Sequence, residues 1–313
     1  MMIPLSYIYE FIHGRVIYDP ERLGSLSFNP ITANNFTGPS YDLDPDQHFL
    51  SVSDFKYYTQ DEFNGITQSW TSFFSLMHIN ARSIRHNLSE LTDFLTTLDN
   101  RFPIIGISET WLTSNPDGVH IDGYSFHHKC RADKHGGGVG IFVNSSNKHT
   151  ARDDLSFFDP EILESVLLEI EQPHQGNIIV GVIYGPPGAD PIKTMSKMGQ
   201  LLAKISKEPK SCYLLGDFNF DLLKYQQHSS TSKFLDCMFS HSFLPLISQP
   251  TRITSHTATL IDNIFTNHLP PAAIIGIFFF TDISDHLPIF TLLSQAKSVR
   301  PKTRVIRRHS ECK

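Results

Sequence analysis

The chain has 313 residues, 40% of them hydrophobic and 19% charged, with a formal net charge of −6. That is enough apolar material for a substantial core, and the acidic balance excludes binding to nucleic acid through bulk positive charge. Four scattered cysteines (Cys130, Cys212, Cys237 and Cys312) without a CxxC pair disfavour a zinc module and a disulfide scaffold. The apolar run 272–280 is too short to span a bilayer, and Glu10 interrupts the only apolar stretch near the N-terminus. An intracellular, reducing setting, nuclear or cytoplasmic and not secreted or membrane-bound, is the expectation.

Residues 1–75 show no sustained periodicity, and Asp42, Asp44 and Asp46 sit among Pro, Gly, Ser and Asn. They read as a leader or loosely ordered extension, with Tyr57, Tyr58 and Phe63 able to dock part of it on a core. From residue 76 the pattern tightens. Leu76–Asn80 is a short apolar run, and Ile84, Leu88, Leu91, Phe94, Leu95 and Leu98 then recur at spacings of three and four, the mark of an amphipathic helix. Ile104–Ser108, Val139–Val143, Ser165–Ile170, Ile178–Tyr184, Cys212–Gly216, Leu260–Phe265, Ile274–Phe279 and Leu287–Leu292 are strand candidates. A second helix runs through Met195, Met198, Leu202 and Ile205, opened by Asp190 as cap and Pro191 at the first helical position. Phe234, Leu235, Met238 and Phe239 suggest a third. Many strands with few helices point to a layered α+β architecture over 76–293. Residues 294–313 form a basic tail, with six Lys and Arg between 297 and 308, read as a disordered tether for phosphates.

Polar residues cut these apolar runs at their ends. Asn80 closes the first, Glu109 the second and Tyr184 the run before Gly185-Pro186-Pro187. Asp217 and Asn219 follow Gly216, Asp262 and Asn263 interrupt the run from Leu260, and Ser284, Asp285 and His286 precede Leu287. Any one of them alone reads as a cap or a turn. As a set they supply what phosphodiester cleavage needs: oxygen ligands suited to Mg²⁺ or Mn²⁺, a carboxylate to orient water, and a histidine paired with a carboxylate to meet developing charge. His135-Gly136-Gly137-Gly138 mimics an oxyanion loop, but no GxSxG elbow accompanies it, and the glycines read as a tight turn. No P-loop and no HExxH motif is present.

His78-Ile79-Asn80, Ser108-Glu109-Thr110-Trp111, Tyr184-Gly185-Pro186, Gly216-Asp217-Phe218-Asn219, Leu260-Ile261-Asp262-Asn263 and Ser284-Asp285-His286 occur in an order that resembles the endonuclease/exonuclease/phosphatase superfamily. Within it the chain is most similar to the endonuclease domain of non-LTR retrotransposons, relatives of apurinic/apyrimidinic endonucleases. Gln249-Pro250-Thr251-Arg252, Asn80-Ala81-Arg82-Ser83 and Tyr57-Tyr58 before Glu62-Phe63 lean to that branch. Arg82 stands where the repair enzymes usually carry an acid.

The resemblance implies a four-layered α/β/β/α sandwich, DNase-I-like, and a Mg²⁺-dependent hydrolase with Mn²⁺ as substitute. It implies Glu109 as principal metal ligand with Asn80 and Asp285 in the metal site. Asp217 would activate water and Asn219 would hold Asp217. Tyr184 and His286 would donate to the phosphate, with Asp262 fixing the His286 tautomer and Ser284 supporting the turn. Arg82, Thr251 and Arg252 are candidates for DNA contact, on a positive rim with Arg85, Lys129, Arg131 and Lys134. The implied activity is nicking of DNA to leave a 3′-hydroxyl, with element RNA and a reverse transcriptase domain as partners in an intact element. Two other functions fit the same residues: a phosphatase of the superfamily acting on a phosphoinositide or nucleotide, and a catalytically silent binding protein from a degenerate element.

Overall fold

A computed structural model describes residues 56–69, 73–113, 117–132, 136–172, 176–268, 273–280 and 282–294. Residues 1–55 of the expected leader, the basic tail beyond 294, Lys134 and His135 lie outside them.

Two seven-stranded sheets stack face to face. The first has the order β1-β15-β16-β2-β3-β5-β4. It comprises β1 (Lys56–Tyr58), β2 (Phe73–Asn80), β3 (Ile104–Ser108), β4 (Tyr124–Lys129), β5 (Val139–Asn144), β15 (Ala273–Phe278) and β16 (Ile289–Ser294). The second has the order β11-β14-β10-β9-β8-β6, with β7 paired to β8. Its strands are β6 (His149–Ala151), β7 (Phe158–Asp159), β8 (Leu163–Ile170), β9 (Ile178–Tyr184), β10 (Cys212–Asp217), β11 (Leu244–Pro245) and β14 (Asp262–Thr266). A small hairpin, β12 (Arg252–Ile253) with β13 (Ala258–Thr259), stands apart. Helices α1 (Gln60–Ser69) and α2 (Leu88–Thr96) cover the outside of the first sheet, and α3 (Pro191–Ile205) and α4 (Ser229–Ser240) the outside of the second.

Both sheets are buried on both faces, which is why their strands read as continuous apolar runs. In β2, Leu76 joins the core between the sheets while Met77 joins the core under α1 and α2; Ile104 and Ile105 of β3 divide the same way. The outer core is aromatic: Phe63 of α1 packs on Phe102, Phe278 and Phe290, and Phe94 of α2 on Phe278 and Phe280. The Asp190 cap forms as the sequence suggests, its carboxylate accepting from the Ile192 and Lys193 amides.

The domain boundary at residue 75 needs correction, because it cuts β2 and leaves out β1 and α1. β1 pairs in parallel with β15, Tyr57 donates to the Pro250 carbonyl at 2.9 Å, and Phe63 is buried. Thr59 and Glu62 close a capping box at the start of α1: the Thr59 amide donates to Oε2 of Glu62, and the Glu62 amide to Oγ1 of Thr59. Periodicity misses this segment because a three-residue strand and a helix with two buried positions are too short to show a period. Strand β4 was also not expected: its Ser, His and Lys residues are half-buried at the sheet edge.

Candidate active site

Strand direction brings the polar residues to one end of the sandwich. β2 and β3 run parallel in the first sheet and β9 and β10 in the second, so Asn80, Glu109, Tyr184 and Asp217 all sit at C-terminal strand ends. β14 runs antiparallel to β10, which puts Asp262, the first residue of β14, directly opposite Asp217. β16 runs antiparallel to β2, and the loop that leads into it delivers Ser284, Asp285 and His286 to the same end.

The turn after β10 fixes Asp217. A Cβ on Gly216 would lie 1.9 Å from the Ile183 carbonyl oxygen, so only glycine lets β10 approach β9 there. Gly216→Ala is expected to cost about 3 kcal/mol in a urea unfolding series, because the clash is with backbone that cannot move aside. An unchanged midpoint would contradict this. Asn219 has φ +54°, a conformation Asn tolerates, and its amide reaches the Gly185 carbonyl at 2.7 Å. Its backbone N–H donates to Asp217 Oδ1 at 3.1 Å.

Asn80 braces two carboxylates. Its Nδ2 donates to Glu109 Oε1 at 3.0 Å and to Asp217 Oδ2 at 2.9 Å, while its oxygen accepts from the Arg82 amide. As placed, Asn80 offers its nitrogen rather than its oxygen to the Glu109 side. Glu109 further accepts from the Tyr184 hydroxyl at 3.3 Å and from Trp111 Nε1 at 3.0 Å. Tyr184 is buried, and burial together with the Glu109 and Asp217 charges keeps its phenol well above the usual range, so it stays a donor. Glu109, Trp111, Arg131, Gly137, Tyr184 and Pro186 line an open cleft of about 310 Å³.

Behind Asp217 lies a buried relay. His286 Nδ1 is 2.8 Å from Asp262 Oδ2 and 4.0 Å from Asp217 Oδ2. Burial alone would lower the imidazole, but the Asp262 charge and hydrogen bond, with Asp217 and Asp285, carry it up to about 9. Burial, then the adjacent Asp262 charge, push Asp217 up to about 8 against the pull of His286 and Asn80. Burial would raise Asp262 too, yet the His286 charge and hydrogen bond hold it low. His78 lies close by, fully buried and held down to about 4 by that burial, its Nε2 3.1 Å from Ser108 Oγ. The Ser284 hydroxyl donates to the Asn80 carbonyl at 2.7 Å and accepts from the His286 amide, tying the loop to β2.

Three expectations change. Thr251 is not a surface contact: it is fully buried, and its hydroxyl donates to Asp262 Oδ2 at 2.8 Å, making it part of the relay. Asp285 faces two cations, with Arg82 Nη1 at 2.8 Å on one oxygen and Arg252 Nε at 2.7 Å on the other. Burial would raise Asp285, but the Arg252 hydrogen bond and the surrounding positive charges hold it below the usual range. Both its oxygens accept from arginines, so in this structure it bridges β12 and the loop after β2. Part of the positive rim is also paired off: Lys129 pairs with Asp153, and Arg131 is buried against Glu164. Side-chain pairings over 33 to 203 residues leave no trace in local sequence.

Over residues 77–286 the sequence matches the Endonuclease/Exonuclease/phosphatase family. The chain belongs to that family. No curated protein matches its sequence. Among solved structures, the endonuclease domain of TRAS1, a telomere-specific non-LTR retrotransposon, is similar with a TM-score of 0.57 at 14% identity, covering 71% of this chain and 99% of that one. The catalytic domain of Xenopus laevis APE2 is similar with a TM-score of 0.53 at 18% identity, covering 72% and 94%. A 3′ phosphatase from Neisseria bound to product DNA hairpin is similar with a TM-score of 0.54 at 15% identity, covering 70% and 98%. The fold is thus the four-layered α/β/β/α sandwich of this family of nucleases and phosphatases. No helix among the described residues is long and apolar enough to cross a membrane.

Two places in the site bear on a cation. Asp217, Asp262 and His286 have ligand atoms within 4.8 Å of one another. There the imidazole is already bonded to Asp262, which suits proton handling. Glu109 opens on the cleft beside the Tyr184 hydroxyl, while Asn80 Nδ2 and Trp111 Nε1 only donate N–H to its oxygens, so the ligand atoms on offer there are hard oxygens. That donor chemistry fits Mg²⁺ or Mn²⁺.

Proposed function

We propose that this chain is a divalent-cation-dependent DNA endonuclease of the non-LTR retrotransposon type, which nicks a phosphodiester by attack of water. The observation that carries this reading is the meeting of Glu109, bridged by Asn80, with Asp217 and the Asp262–His286 pair at one end of the sandwich.

Glu109 is the residue that would hold Mg²⁺, whose chemistry there would be neutralisation of charge on the phosphate. Asp217, fixed through both oxygens by Asn80 and Asn219, orients the attacking water and accepts its proton. His286 has Nδ1 committed to Asp262, so Nε2 is the nitrogen left to donate to the phosphate as negative charge develops. Tyr184 can transfer its hydroxyl hydrogen bond from Glu109 to a phosphate oxygen. Arg82 and Arg252, 47% and 37% exposed and held by Asp285, retain guanidinium N–H groups for flanking phosphates. The cleaved strand would keep a 3′-hydroxyl, and in an intact element that end would prime reverse transcription of the element RNA.

A second reading, a phosphatase of the same family, has support in the neighbour that is a 3′ phosphatase. Supercoiled plasmid with Mg²⁺, plasmid with EDTA, and phosphate release from a phosphoinositide and a nucleotide separate the two. The expected result is open-circle plasmid with Mg²⁺ alone. Phosphate release without nicking would replace the endonuclease reading with the phosphatase one.

A further inference from the structure

The glycine loop 136–138 and a buried ion pair have no part in the mechanism above, yet both converge on Glu109. Glu164 lies on β8, in register with Tyr184 of β9, and is fully buried. Its Oε1 accepts from Arg131 Nε at 2.5 Å, and its Oε2 from the Gly138 amide at 2.5 Å. Arg131, 6% exposed, also donates to the Pro160 carbonyl at 3.1 Å. The pair therefore ties the segment after β4, in the first sheet, to β8 and the loop before it, in the second. Taking two charges out of water is expensive, and hydrophobic residues of similar volume often serve stability as well or better. A role beyond stability is the physical question this pair raises.

The loop answers it. Gly136, Gly137 and Gly138 have φ of +88°, +66° and +85°. A Cβ on Gly137 would lie 2.4 Å from Arg131 Cζ, and one on Gly138 2.3 Å from Thr110 Oγ1. The loop is thus clamped between the guanidinium and the chain that follows Glu109. It then holds that chain: the Gly138 carbonyl accepts from the Thr110 amide at 3.2 Å, and the Gly137 carbonyl from the Trp111 amide at 2.8 Å. Glu109 and Trp111 both have φ +52°, a left-handed backbone that costs of order 1–2 kcal/mol for a residue with a Cβ and persists only where its surroundings impose it. Held this way, Trp111 returns its indole N–H to Glu109 Oε2 at 3.0 Å.

We propose that Arg131, Glu164 and Gly136–Gly138 form a frame of positioning residues that sets the Glu109 carboxylate for its cation and so tunes the cation affinity of the site. The inference rests on the reading of Glu109 as the cation ligand. The frame residues reach Glu109 through Thr110 and Trp111, and Arg131 and Gly137 also line the cleft beside it. Partners that orient metal ligands change affinity about 10- to 100-fold when removed.

The test is Mn²⁺ binding to the full chain, read from the electron paramagnetic resonance signal of the free ion, with thermal melts on the same samples. Glu164→Gln and Gly137→Ala should raise the Mn²⁺ concentration for half occupancy about tenfold or more. Trp111→Phe removes the indole N–H together with part of the ring and leaves no buried charge. It should fold like the wild type and weaken Mn²⁺ by several-fold, so the proposal can be judged even where the other two fail to fold. Lower melting temperatures with Mn²⁺ half occupancy within twofold of wild type would overturn the frame while leaving the Glu109 reading in place. A wild-type chain that binds no Mn²⁺ would overturn both.

Discussion

Asp217→Asn is expected to lower plasmid nicking by about three orders of magnitude and leave the fold intact. The carboxylate is the group best placed to take a proton from water: both its oxygens are pinned, one by the Asn219 amide and one by Asn80 Nδ2. The amide keeps the shape and removes the basicity. The stability side has a definite sign. Burial and the Asp262 charge raise the folded carboxyl to about 8, whereas an unfolded Asp titrates near 3.9. A group raised in this way stabilises the fold below its unfolded value, and that contribution is lost as pH rises through about 8. Near pH 7.5 the carboxylate is therefore a burden on the fold that the neutral amide relieves, against the loss of one accepted hydrogen bond. The melting temperature should be unchanged or raised while nicking disappears. A variant that nicks at the wild-type rate, or one that unfolds, would contradict the assignment.

His286→Ala carries the second large effect, a loss of about 10²- to 10³-fold, since it removes a donor aimed at developing charge. Its pH signature separates this role from a merely structural one. Asp262 and the other nearby carboxylates outweigh burial and lift the imidazole to about 9, so the proton persists through neutral pH and is lost above about 9. Wild-type nicking should fall on the alkaline side with that midpoint. Asp262→Asn removes the charge that does most of the lifting, and its falling limb should move down toward the ordinary histidine value near 6.5. Thr251→Val, which deletes the hydroxyl donated to Asp262, should shift the limb in neither direction by as much. A wild-type profile flat through pH 10, or a limb that Asp262→Asn leaves in place, would rule out the imidazolium as donor.

Much of this site was legible in the sequence because it sits at strand ends. A long apolar run cut by Asn, Glu or Asp states both that a buried strand exists and where it stops, and Asn80, Glu109 and Asp217 each sit at such a break, whereas Asp262, inside the run from Leu260, opens β14. The fold followed from the same runs. What escaped depended on partners distant in sequence. Thr251 reads as a surface threonine until β12 and β14 bring it to Asp262. Asp285 reads as another acid for a cation until Arg82, 203 positions away, occupies one of its oxygens. Arg131 reads as one more rim cation until Glu164 of the other sheet captures it. The start of the domain was missed for a different reason. β1 and α1 are short and bury few residues, and the local signs of them were the aromatics Tyr57, Tyr58 and Phe63 and the Thr59–Glu62 capping box.

The claim beneath all of these expectations is that Glu109, and not the Asp217–Asp262–His286 cluster, is the seat of the cation. An anomalous difference map from a crystal of the chain with Mn²⁺ and a short DNA duplex tests it most directly. The account predicts a single peak about 2 Å from a Glu109 carboxylate oxygen, also in contact with a phosphate oxygen. A peak seated among Asp217, Asp262 and His286, with none beside Glu109, would contradict it.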